Sequence, residues 1–176
     1  MAKPTLGQVA NAILDPLLSD NYQLSFPNIP TGDNATPLLM QCRTASKPGV
    51  TLGAAEVQLF GHTLEFATNK TFSHDMSTEY VENRSMQIHG IIEKWCEFIR
   101  STQGQIGAFK SDYARNAVLS VFDQKGNSVN DYVIVNCWPT GIPESPFDGS
   151  ASNLISVAVS WKYDYYYNKT TGVGNT

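Results

Sequence analysis

Charge is scarce in this 176-residue chain. Only 16% of its residues are Asp, Glu, Lys or Arg, and the 16 acids outnumber the 12 bases for a net charge of −4. That balance argues against wrapping nucleic acid or coating an anionic membrane as the main task, because both need a cationic surface. Cysteine is also sparse: Cys42, Cys96 and Cys137 form an odd set without metal-ligand spacing, which reads as reduced thiols in a cytoplasm. The opening MAKPTLGQVA lacks an apolar signal core, and no run approaches the roughly 18 apolar residues of a membrane span. Neither secretion nor membrane binding is expected, so the Asn-x-Ser/Thr triplets at Asn34, Asn69, Asn83 and Asn168 are expected to carry no glycan.

Catalytic groupings are lacking too. His89 and Cys96 lie seven residues apart on one helical stretch, roughly 10 Å and too far for a nucleophile–base pair. Cys96 adjoins an apolar stripe and reads as a core thiol, while His62 and His74 fall in strand-like segments without metal spacing. Asp75, Glu79 and Glu82 read as a solvated sheet edge. Gly104 and Gly107 follow the helix instead of leading a strand into it, so they form no phosphate loop. No enzyme, metal or cofactor is expected.

What is present is β pattern. Hydrophobic residues make up 41% and the aromatics are 3 Trp, 8 Tyr and 8 Phe, a composition that favours sheet. Such light charge suits a well-buried chain or one whose surface other chains cover. The stretch 153–167 alternates throughout. Ile155, Val157, Val159, Trp161, Tyr163 and Tyr165 share one face, and Ser156, Ala158, Ser160, Lys162 and Asp164 the other. This predicts a long strand with a buried side and an unusually small-residue wet side. The small residues fit a smooth wall or a close neighbour, and an ordinary edge or sandwich strand fits the alternation as well.

The strongest helix signal spans Asn83–Ser101, where Ile88, Ile91, Ile92, Trp95, Phe98 and Ile99 recur at three- and four-residue spacing opposite Glu93, Lys94, Glu97 and Arg100. A short helix capped by Thr5 is predicted over 5–14, ending before Pro16. Strands are predicted over 22–26, 38–44, 61–67, 72–81, 114–122 and 132–137. The second is antiparallel to the first if a hairpin joins them, the third and fourth are joined through 68–70, and the last is ended by Trp138-Pro139. The 27–37 segment is a loop, and Pro48, Gly49 and Gly53 mark 45–59 as an extended loop. Residues 1–176 thus read as one domain with an N-terminal arm or helix over 1–20 and a flexible tail over 168–176. The expected fold class is mainly β, an antiparallel sandwich or barrel with one long amphipathic helix packed alongside.

Several segments in this order resemble the tail tube proteins of contractile-tailed bacteriophages. They are Asn21 to Phe26, Gln41 to Ala45 running into Pro48-Gly49, Thr71-Phe72 ahead of a strand, the helix with Trp95 and Phe98 facing inward, and Asp112 to Arg115. Asn136-Cys137-Trp138-Pro139-Thr140 and the alternating last strand close the series, and the likeness covers about residues 20 to 166. The 28–36 loop looks longer than is usual in that family, and the tail after Tyr166 is extra.

The resemblance implies a single tail-tube domain, hexameric rings stacking into a tube, and a shared β-barrel lumen that conducts DNA during ejection. Partners would be further copies of the chain, sheath subunits, baseplate and terminator proteins, and DNA in transit. The setting would be a virion tail assembled in a bacterial cytoplasm. Ser156, Ala158, Ser160 and Lys162 become the candidate lumen face. Lys47, Pro48, Gly49, Val50, Thr51 and Leu52 become a candidate inter-subunit loop, with a plain surface loop as the alternative. Deleting 47–53 would then leave a folded monomer unable to polymerise. Ile88, Ile91, Ile92, Trp95, Phe98, Trp138, Val157, Val159 and Trp161 are the expected core. Competing readings are a baseplate initiator, a secretion-system ring of the same fold, and a monomeric ligand-binding β-barrel.

Overall fold

Three aromatic rings meet at the centre of the molecule. Phe26 stacks on Trp161 at 4.7 Å between centroids, and Trp95 meets both edge-on at 5.8 and 5.6 Å. The Trp161 indole N–H donates to the Thr78 hydroxyl at 2.8 Å, and that of Trp95 donates to the Tyr113 carbonyl at 3.0 Å. Burying such rings contributes about 1.5–3 kcal/mol each, a gain the two indoles keep because their N–H donors find partners. The structure is a computed structural model and describes residues 3, 5–8, 16–142, 150 and 153–172.

The elements in chain order are β1 (Tyr22–Ser25), α1 (Thr36–Met40), β2 (Cys42–Ala45), β3 (Val50–Leu59), β4 (His62–Phe72), β5 (Asp75–Val81), α2 (Gln87–Ile99), α3 (Lys110–Tyr113), β6 (Arg115–Phe122), β7 (Ser128–Gly141), β8 (Ser156–Lys162) and β9 (Tyr165–Asn168). A seven-stranded antiparallel sheet runs β1-β6-β7-β8-β5-β2, with β9 also on β7; β3 and β4 form a separate two-stranded hairpin. The mainly antiparallel fold class is as expected. The helical part differs in detail: α2 is 13 residues long, shorter than predicted, and among the described residues the short helices α1 and α3 and a helical turn after Thr5 accompany it.

One corner organises the sheet. The first part of β7 pairs with β6 and β9, while Trp138 to Gly141 pair with β8. At the junction Asn136 adopts a left-handed backbone, φ 55°, and the adjoining strand breaks at Tyr163-Asp164. The two strands bend together because side chains tie them. The Asn136 amide donates to the Asp164 carboxylate at 2.7 Å, Lys110 pairs with the same carboxylate, and the Asp164 N–H donates to the Val135 carbonyl at 3.0 Å. This corner explains why the predicted 153–167 strand is two strands. Tyr163 is buried as predicted, but beyond it the break shifts the alternation, so that Tyr165 turns outward and Tyr166 packs toward the core. Pro139 sits inside β7 instead of ending it, next to a register shift where a missing N–H is tolerated.

Other expectations change as well. The 38–44 strand is α1 followed by β2, and β1 and β2 pair with β6 and β5, not with each other. The 68–70 link lies within the continuous strand β4. Helix α2 buries Ile88, Ile91, Ile92 and Trp95, but Phe98 is 42% exposed, one turn past the sheet's cover. Trp138 is half-buried, edge-on to Tyr113, because its face of the sheet is the open one. Thr5 does cap a helical turn: its hydroxyl accepts from the Gln8 N–H, and the Gln8 side chain accepts from the Thr5 N–H. Residues 9–14 of that predicted helix, and 173–176 of the predicted tail, lie outside the described residues. Residues 168–170 are tied down instead, with the Lys169 N–H donating to Asp131 O and the Thr170 hydroxyl accepting from the Asp131 N–H.

Candidate functional site

The hairpin of β3 and β4 stands apart from the sheet. Beyond its root it buries nothing: every residue from Val50 to Thr71 is exposed. Its register places Ala55, Val57 and Leu59 across from Phe66, Leu64 and His62 on one face, and Ala54, Glu56 and Gln58 across from Ala67, Glu65 and Thr63 on the other. One face is therefore apolar and the other polar, as for a strand pair meant to lie on something. A two-stranded hairpin alone is at best marginally stable in water. Monomeric soluble proteins rarely leave an apolar row of this length open to water.

Two details refine the arm. Gly53 sits at a bulge, where a Cβ would come within 2.6 Å of the Thr68 hydroxyl. At the tip, Phe60 and Gly61 form a two-residue turn with φ 50° and 81°. Both positions demand a left-handed backbone, normally filled by Asn-Gly or Gly-Gly. Here a phenylalanine occupies the first with its side chain 99% exposed. Its backbone conformation and its exposure are both unfavourable in the free subunit.

The arm corrects the reading of 45–59 as an extended loop. The predicted inter-subunit residues form its root: Lys47 lies over the Tyr132 ring at 4.7 Å, Pro48 is buried, and Gly49 O accepts from the Ser73 N–H at 3.2 Å. Val50, Thr51 and Leu52 open β3. The sequence did carry the hairpin signal, as alternation on both sides of Phe60-Gly61. Phe at a turn position, and Gly53 in mid-strand, disguised it.

The second surface is the open face of β8 and its neighbours. Val157, Val159 and Trp161 point into the core, and Ser156, Ala158, Ser160 and Lys162 point away, as the alternation predicts. Directly across on β5 stand Val81, Glu79, Ser77 and Asp75. The Lys162 ammonium lies 2.6 Å from Asp75, and Arg43 lies 3.6 Å from Glu79. The face is thus hydroxyl-rich and locally neutral. It belongs to a four-strand segment with β2 at one margin and the end of β7 at the other.

Among the described residues no group of three or more His, Cys, Asp or Glu could hold a metal. Burial pushes the Cys42, Cys96 and Cys137 thiols up, which disfavours the thiolate nucleophile. No helix among the described residues is long and apolar enough to cross a membrane.

A profile of the phage tail tube protein family matches residues 17–169. The chain belongs to that family. This tail tube protein is a structural tube subunit and a tail component. Its fold also recurs at low identity in solved contractile systems. A chain of an extracellular contractile injection system, PVC, in a sheath–tube complex in the extended state has 12% identity, covers 95% of this chain and 99% of its own, and gives a TM-score of 0.62. One from the PVC sheath/tube terminator gives 0.64 at 12% identity over 88% and 96%. One from the anti-feeding prophage baseplate, reconstructed with six-fold symmetry, gives 0.63 at 13% identity over 87% and 95%. No curated protein sequence matches this chain.

Proposed function

We propose that copies of this tail tube protein close into hexameric rings, that the rings stack through the β3–β4 arm, and that the open face of β8 lines a channel conducting DNA. The observation that carries this reading is the arm: an apolar strand pair, exposed throughout, on a member of a tube-building family. Its apolar face gains its partner only when another copy covers it. The margins of the four-strand segment, β2 and the end of β7, are the edges available for side-by-side closure, in which one side of each copy meets the other side of the next.

The channel reading rests on charge. DNA must pass without being held, and each neutralised phosphate adds affinity by counterion release. A wall whose cations are already paired to carboxylates, Lys162 to Asp75 and Arg43 to Glu79, offers few free charges to the backbone. Sheath, baseplate and terminator proteins would meet the outer surface and the ends of such a tube in a virion assembled in the host cytoplasm.

The test excises the arm at a paired position. Val50 and Phe72 are ladder partners, so replacing 51–71 with Asn-Gly keeps the root and closes it with a two-residue turn. The expected product is a folded monomer that forms no tubes under negative stain. Tubes of normal length would refute the arm's role.

A further inference from the structure

The arm leaves the body through a cluster of rings. Phe72, its last residue, packs against the core between Tyr166 and Tyr165 of β9, at 5.5 and 6.4 Å between centroids, and Tyr166 in turn meets Tyr132 of β7 at 6.3 Å. The other leg enters over the same cluster, with Lys47 above Tyr132. Lys70 caps the outer side of Phe72 at 5.4 Å. Directly below, the Ser73 and Tyr163 hydroxyls are 2.7 Å apart, His74 Nδ1 lies 3.0 Å from the Tyr163 carbonyl, and His74 turns the chain with φ 58°. The Ser73 N–H to Gly49 carbonyl bond closes the root beside this cluster, and both tyrosines that flank Phe72 come from after the corner at Asp164.

We infer that Phe72, Tyr132 and Tyr166 form a brace that holds the arm at its docking angle in the free subunit, and that positioning the arm is the task of β9. This rests on the arm being the contact between copies. An arm free to swing would have to be ordered each time a copy docks, and that ordering subtracts from affinity; one already held loses little. The final strand only flanks the core that β8 builds: Tyr165 points outward, and Tyr166, half-buried at the core's edge, lies on the arm's root. The rings are thus positioning residues, acting on assembly through the arm without needing to touch the neighbour.

Three variants test this: Phe72→Ala, Tyr166→Ala and the ring-conserving Tyr166→Phe. Backbone 15N order parameters are measured on the unassembled subunit, and the assembly threshold by pelleting. Both alanine variants are expected to lower the order parameters of the arm amides at 54–67 from roughly 0.85 to below roughly 0.6 while β5 and β8 keep theirs. The threshold should rise about tenfold, and Tyr166→Phe should match the native chain on both counts. An unchanged arm, a loosened arm with an unchanged threshold, or loosening spread equally over β5 and β8 would each overturn the brace. The arm-less chain separates the two levels. If it still polymerises, the docking reading itself fails; if it stays monomeric while both alanine variants assemble normally, only the brace fails.

Discussion

Replacing Phe60 by Asn should leave the free subunit as stable as before, or slightly more so, and cripple its assembly. Phe60 holds a left-handed backbone at φ 50°, which costs a side chain of this kind about 1–2 kcal/mol. Asn before Gly is the preferred pair for this turn, so the substitution relieves much of that cost. The ring itself is 99% exposed and packs on nothing in the free chain. Covering it on a neighbour would contribute about 1.5–3 kcal/mol, so its loss should raise the assembly threshold roughly tenfold to hundredfold. Pelleting across a concentration series gives the threshold, and a thermal scan of the monomer gives the stability. Native-like assembly of Phe60→Asn would refute the assignment of the tip to an interface. A large drop in monomer stability would show that the ring serves the fold instead.

The corner, the acid limb and the proposed channel wall each give a further test. Asn136→Val places a β-branched residue at φ 55° and removes the amide bonded to Asp164, so it should cost about 2–3 kcal/mol and lower Tm by roughly 5–10 °C; Asn136→Gly, which tolerates that backbone, should lose only about half as much. Burial opposes the charge of Asp164, but the Lys110 and Asn136 hydrogen bonds outweigh it and hold its pKa below the usual carboxylate value. A lowered folded pKa contributes stability that is complete above about pH 4 and is lost as pH falls through the folded value, so denaturant titrations of Asp164→Asn should show a shallower loss on acidification than the native chain. Ser160→Arg should still polymerise, but it would add an unpaired cation to every copy on the channel wall, slowing DNA exit in a way that higher salt relieves; unchanged ejection through intact Ser160→Arg tubes would remove that face from the channel.

Much of this was legible in the sequence where local pattern and tertiary role agree. Val157, Val159 and Trp161 alternate with Ser156, Ala158, Ser160 and Lys162, and the structure keeps that division. The four buried positions of α2 follow the apolar stripe, which overran only at Phe98. Failures fall where long-range partners decide. Asn136 and Asp164 are 28 residues apart in sequence and bend two strands by acting together, which no window of a few residues reports. The arm was misread for a different reason. Its alternation is sound, but Pro48, Gly49 and Gly53 near its start, and Phe instead of Asn at its turn, carry the marks of a loop. Those departures from ordinary hairpin chemistry sit at the root, the bulge and the tip, the places where the proposed docking would make its own demands on the backbone.

A cryo-EM reconstruction of the filaments formed by the purified chain at high concentration tests the central claim most directly. The account predicts stacked rings in which the apolar face of β3 and β4 is buried on another copy while Ala158 and Ser160 face the channel. Filaments with the arm left in solvent, or a chain that remains monomeric at every concentration, would contradict it.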